Sequence, residues 1–169
     1  VLLWLFHRDF AALAFLDPDD AMRLQQVRDW IGGQNFFDVT QHRVNPPVGG
    51  PMHWSRIVDM PIAALILLAR PLLGGWGSDI FASAIVPLLL LGGLAVALYR
   101  ATARLDGQRS AFVATALLLT TPAILVQFTP LRIDHQGWQS WMAAVARAGA
   151  FDARPARGGA VAGLGIAIW

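Results

Sequence analysis

Apolar residues in this chain come in runs too long and too uniform for an amphipathic stripe. Two runs are almost unbroken, Ile80–Tyr99 and residues 111–131. Each has the roughly 20 residues needed to cross a hydrocarbon core. Residues 138–151 form a weaker helical run, and residues 159–169 read as a further span cut short. Residues 1–16 do not read as a cleaved signal peptide, because His7-Arg8-Asp9 interrupts them and no small-residue cleavage pattern follows; they are expected to complete a first span. The segment from about 60 to 74 is apolar for only about ten residues before Arg70-Pro71, which predicts an interfacial helix. The expected fold is all-α: a polytopic transmembrane helical bundle with a long first outer loop, residues 17–59, that contains interfacial helices. The truncated last run predicts that the chain is the N-terminal part of one transmembrane domain.

Charge turns these spans into a topology. All 13 basic residues are Arg, and Arg100, Arg104 and Arg109 crowd the short segment between the two clean spans. Such a cluster marks a cytoplasmic loop. Ile80–Tyr99 then runs inward and residues 111–131 run back out. Arg147, Arg154 and Arg157 fall on the same inner side. With residues 60–74 lying in the interface, Asp17 and Asp134 both face outward.

Composition agrees with a lipid solvent. The chain of 169 residues is 56% hydrophobic and 14% charged, against about 25% charged in soluble domains. The net charge of +2 is too small and too dispersed for a nucleic-acid footprint. With no Cys, disulfides and thiolate metal sites are excluded.

The polar chemistry gathers in the outer segments. Asp17-Pro18-Asp19-Asp20 places three carboxylates within four residues, a repulsion relieved by a divalent cation or a basic partner. Asp17 or Asp19 can equally cap the helix that starts near Asp20. Arg23 and Arg28 fall on that helix, where they suit carboxylates or phosphate oxygens. Asn45-Pro46-Pro47 forbids a helix in mid-loop. Trp54 reads as an interface anchor and His53 as structural. Arg132-Ile133-Asp134-His135 closes a span with ionisable groups that need water or a partner. The chain lacks H-E-x-x-H, G-x-S-x-G and P-loop motifs.

Taken in order, these features resemble the catalytic subunit of oligosaccharyltransferase and, more widely, membrane glycosyltransferases of the GT-C fold. Asp17-Pro18 with Arg23 six residues on is similar to that family's first outer-loop motif. Asp134-His135 is similar to its second acidic motif, with Gln136 where some members have a second His. The order of Asn45-Pro46-Pro47 and Pro61–Leu73 is similar to relatives that transfer mannose or aminoarabinose. The resemblance implies a polyprenyl-phosphate or -diphosphate sugar donor, and a protein, lipid or glycan acceptor. It implies a divalent cation, Mg or Mn, held by Asp17, Asp134 and His135, with Asp17 also catalytic. Asp19 and Asp20 are the alternative acidic pair. Arg23, Arg56 and Arg132 are candidates to hold phosphate. The implied location is a bacterial inner membrane with the site facing the periplasm. The competing readings are a cation-coupled transporter or flippase, whose acids bind the coupling ion, and a non-catalytic assembly factor, whose acids are helix caps.

Overall fold

The computed structural model describes residues 12–168, so most of the expected first span, residues 1–16, lies outside the described residues, as does Trp169. The described chain is mostly helical, in keeping with an all-α class. Helix α1 is Pro18–Ile31, followed by strands β1 (Thr40–Gln41) and β2 (Gly50–Pro51). Helix α2 runs Arg56–Thr120, then come a short α3 (Pro122–Leu125) and a 3-10 turn (Val126–Phe128). Helices α4 (His135–Ala150) and α5 (Pro155–Ile168) complete the order. Among the described residues, one helix is long and apolar enough to cross a membrane, α2.

At 1.5 Å per residue a straight helix of 65 residues would reach roughly 100 Å, far beyond a bilayer. Two glycines divide α2 instead. Gly74 has φ +70° and Gly107 has φ +85°, a backbone region that favours glycine. The expected interfacial helix therefore corresponds to Arg56–Leu73, ending at the Gly74 break. Residues 100–109, expected as a loop between two spans, are helical, and the chain turns only at Gly107. A short link needs just one residue of special backbone, which a run of arginines does not reveal. The apolar run 111–131 leaves the helix at Thr120, because Pro122 lacks the N–H to continue the ladder.

The described chain divides into two units, one comprising residues 12–86 with 130–135 and the other 87–129 with 136–168. In the first unit, α1 begins at Pro18 with Asp17 as its N-cap, the carboxylate accepting from the Asp19 N–H at 3.0 Å. Its buried stripe is Asp20, Arg23, Leu24 and Val27, spaced as one helical face. Two members of that stripe are charged, so this helix buries ionic chemistry along with its leucine. The following loop pairs Thr40–Gln41 antiparallel with Gly50–Pro51, around a turn holding Asn45 (φ +52°) and a cis Pro46–Pro47 bond. Val58, Ile62, Ala63, Ile66 and Ala69 give the Arg56–Leu73 limb its buried side.

In the second unit, small residues let α4 and α5 approach closely. A Cβ built on Gly149 would lie 2.5 Å from the Ala162 nitrogen, and one on Gly165 would lie 2.7 Å from the Met142 carbonyl oxygen. This is the close backbone packing that small residues permit between apolar helices. Gly93 seats Trp141, whose ring would be 2.5 Å from an added Cβ. Arg104 and Arg157 both reach Asp152, at 3.1 and 3.6 Å.

Candidate functional site

The first unit brings together acids that are more than a hundred residues apart in sequence. Asp20 lies at the start of α1 and is fully buried. Its Oδ1 accepts the main-chain N–H of Asp134 at 2.8 Å. Its Oδ2 accepts from Arg132 Nη1 at 3.3 Å, and the same nitrogen donates to Asp17 Oδ2 at 3.0 Å. Segment 130–135 is therefore clamped onto the N-terminus of α1, with Leu131 at φ +74° and its N–H donating to the Ser83 carbonyl at 2.9 Å. The Asp134 carboxylate pairs with His135 Nδ1. Asp17 and His135 are each about a third open to solvent, at 33% and 34%, whereas Asp134 is 3% exposed.

The electrostatics follow from burial. Burial pushes the Asp20 carboxyl up to about 6, against the opposing pull of Arg132 and the N–H groups of Asp134 and Ile133. Asp17 moves the other way: the Asp19 N–H and then Arg132 hold its carboxyl below the usual carboxylate range. Two neighbouring carboxylates thus sit in opposite environments, one dry and one wet.

The three arginines named from sequence have different fates. Arg23 is fully buried, 2.8 Å from Asp59 and 3.8 Å from Asp134. Its guanidinium lies 4.7 Å from the centre of the Trp54 ring. Arg56 is also buried and donates to the Gln26 carbonyl at 3.0 Å, the Gln34 side chain at 3.0 Å and the Asp38 carbonyl at 2.6 Å. It lies 3.5 Å from Asp59 as well. Arg23 and Arg56 hold α1, the loop and the start of α2 together. Arg132 alone of the three is part of the Asp17–Asp20 cluster. Asp19 is exposed, apart from its N–H bond to Asp17. His42 and His53 are exposed in the loop, and His53 packs edge-on against Trp54 at 5.6 Å.

Asp59 went unremarked in the sequence reading, although a carboxylate opening an apolar helix is itself a signal of a buried partner. Trp54, read as an interface anchor, is 8% exposed and stacks on Arg23. The pairing of Arg28 with Asp79 at 2.6 Å was also not foreseen. Among the described residues, several buried polar atoms around Arg23 and Asp59 make no hydrogen bond, including Arg23 Nε, Asp59 Oδ2 and both side-chain amide atoms of Gln26. Polar atoms so placed suit ordered water.

Among the described residues, no three carboxylate or imidazole groups close on a common centre. The donors themselves, carboxylate oxygen and imidazole nitrogen at Asp17, Asp134 and His135, are types a divalent cation accepts. Asp20 connects to both ends of that set, through the Asp134 N–H and through Arg132.

A scan against protein-family models, a search of curated proteins and a search of solved structures each found no match to this chain.

Proposed function

We propose that this chain belongs to a multi-pass membrane glycosyltransferase of the GT-C type, similar to the oligosaccharyltransferase catalytic subunit. It moves a sugar or oligosaccharide from a polyprenyl-phosphate-linked donor to a protein, lipid or glycan acceptor. The work is done on the outer, periplasmic side of a bacterial inner membrane. The observation that carries this reading is the meeting of Asp17 and Asp20 with Arg132 and Asp134 in one partly open cluster. The two acidic motifs of the resemblance are distant in sequence and adjacent in space.

Glycosyl transfer from a lipid phosphate builds negative charge on the leaving group and requires removal of an acceptor proton. Asp17 is the partly exposed carboxylate, held ionised by the Asp19 N–H and Arg132 and suited to orient the acceptor by accepting its hydrogen bond. Arg132 is a cation beside it, 14% exposed and suited to a phosphate oxygen. A divalent cation, Mg or Mn, would be held by Asp17, Asp134 and His135, and would supply further positive charge at the leaving phosphate. Asp20 positions Arg132 and the 130–135 segment. Arg23 and Arg56 are buried on Asp59, Arg23 also lying 3.8 Å from Asp134, so of the three arginines the partly exposed Arg132 is the one assigned to phosphate.

The test is sugar transfer from a lipid-linked donor by the full-length protein. Asp17→Ala and Asp134→Ala should each lower the rate by at least a hundredfold, and the isosteric Asp17→Asn and Asp134→Asn, which keep the cap and the packing, should do the same in protein that remains folded. Transfer at the native rate by these variants would end the reading. Uptake of a solute that depends on the same two acids would assign them to a coupling ion instead.

A further inference from the structure

A second polar site in the first unit lies away from the acidic cluster. It is a cavity of about 280 Å³ between the C-terminal end of α1 and the Gly74 break of α2, lined by Arg28, Ile66, Arg70, Gly75 and Asp79 among others. Arg28 spends Nε and Nη2 on a single oxygen of Asp79, at 2.9 and 2.6 Å. Its Nη1 keeps its donors. Arg28 also lies 5.7 Å from the centre of the half-exposed Trp76 ring. Arg70 has no carboxylate partner among the described residues. Two arginines against one aspartate leave the cavity one positive charge in excess.

The surroundings say what kind of anion belongs there. Arg70 is flanked on its own helix face by Leu67 and Leu73, three residues to either side and half-exposed at 53% and 49%. An unpaired cation on such an apolar surface is costly unless its head reaches an anion or water. A free phosphate would satisfy the arginines and leave the leucines bare. A lipid with an anionic phosphate headgroup satisfies both at once, its phosphate on Arg28 and Arg70 and its chains along the leucines. We infer that the Arg28–Arg70 cavity is a binding site for the phosphate headgroup of an anionic membrane lipid, seated beside Leu67 and Leu73. The inference requires contact with a membrane and does not depend on the sugar-transfer reading.

The test uses the full-length protein, delipidated in detergent and titrated with phosphatidylglycerol or phosphatidylcholine of matched chains. Bound lipid is counted by native mass spectrometry. The native protein should retain phosphatidylglycerol at least fivefold over phosphatidylcholine. Arg70→Gln, at an exposed position, should bring that ratio close to one with unchanged melting. Asp79→Asn should raise the ratio, because it removes the one carboxylate from the cavity. Arg154→Gln, a change at an exposed arginine of the other unit, should leave it alone. An unchanged ratio in Arg70→Gln, or a lower one in Asp79→Asn, overturns the inference. Displacement of the lipid by inorganic phosphate at equal concentration also overturns it, and assigns the cavity to free anions.

Discussion

Asp20 and Asp134 are joined by a single 2.8 Å hydrogen bond, from the main-chain N–H of Asp134 to a carboxylate that is fully buried. That bond fixes the 130–135 segment to the start of α1. It also makes the candidate site sensitive to the charge on one residue.

The first prediction concerns that charge. Asp20 has a folded value of about 6 against an ordinary value of 3.8. A raised acid favours the folded form fully below pH 3.8, and that contribution is lost as pH rises through about 6. Asp17 has the opposite sign: its contribution is present above 3.8 and is lost only as pH falls below it. The part of the slope between 3.8 and 6 that belongs to Asp20 is the part that Asp20→Asn removes. Stability of the native protein should fall with rising pH across that interval through this group, and Asp20→Asn should flatten the slope. In a transfer assay, Asp20→Asn should also remove an acid limb near pH 6. An unaltered stability-against-pH profile in the variant would place the titrating group elsewhere.

A second prediction follows from the burial of Arg23 and Asp59, both 0% exposed. Removing one partner strands the other charge, at a cost of about 3–5 kcal/mol. Asp59→Ala should lower stability by that much. The double variant Arg23→Met, Asp59→Leu removes both charges and should be more stable than Asp59→Ala alone. Denaturant unfolding of the three proteins in one detergent measures the difference. Equal destabilisation of the single and double variants would mean that the pair is not coupled.

The close approach of α4 and α5 makes a third. Gly149→Ala would push a methyl group into the backbone at Ala162 and Gly158. Overpacking of this kind costs about 1–3 kcal/mol. Gly159→Ala meets nothing within 4 Å and should be close to neutral. Thermal melting monitored by circular dichroism separates the two. If Gly159→Ala destabilises as much as Gly149→Ala, the close approach of the two helices is not the cause.

Arg132 supports a fourth. Its nitrogen lies between Asp17 and Asp20, so Arg132→Gln leaves two carboxylates facing each other with no cation between them. Transfer should fall at least tenfold, and added Mg²⁺ or Mn²⁺ should restore part of it by supplying the missing positive charge. Arg132→Lys should retain more activity than Arg132→Gln. A glutamine variant as active as the native protein would remove Arg132 from the site.

Much of the helical content was legible from sequence because hydropathy is a local property. The apolar runs, the N-cap at Asp17 and the non-helical Asn45-Pro46-Pro47 segment depend on residues within a few positions of each other. The helix at 135–150 was anticipated within three residues of its start, as 138–151. The link at 100–109 was misread, because arginine density speaks of membrane side and not of backbone conformation. Gly107, the residue that makes the turn, was one of 16 glycines and carried no mark of its own.

By itself the sequence determined that the chain is helical, apolar and arginine-rich, with acids gathered at Asp17–Asp20 and Asp134. Only the tertiary structure decided which arginine meets which acid. Arg23 went to Asp59 across 36 residues, Arg28 to Asp79 across 51, and Arg132 to Asp20 across 112. An ion pair needs its atoms within about 4 Å, and that placement is set by how helices pack and where glycines let the backbone turn. Spacing along the chain carries no such information, which is why arginines equal in sequence became an internal brace (Arg23), a partner of Asp79 (Arg28) and a member of the site (Arg132).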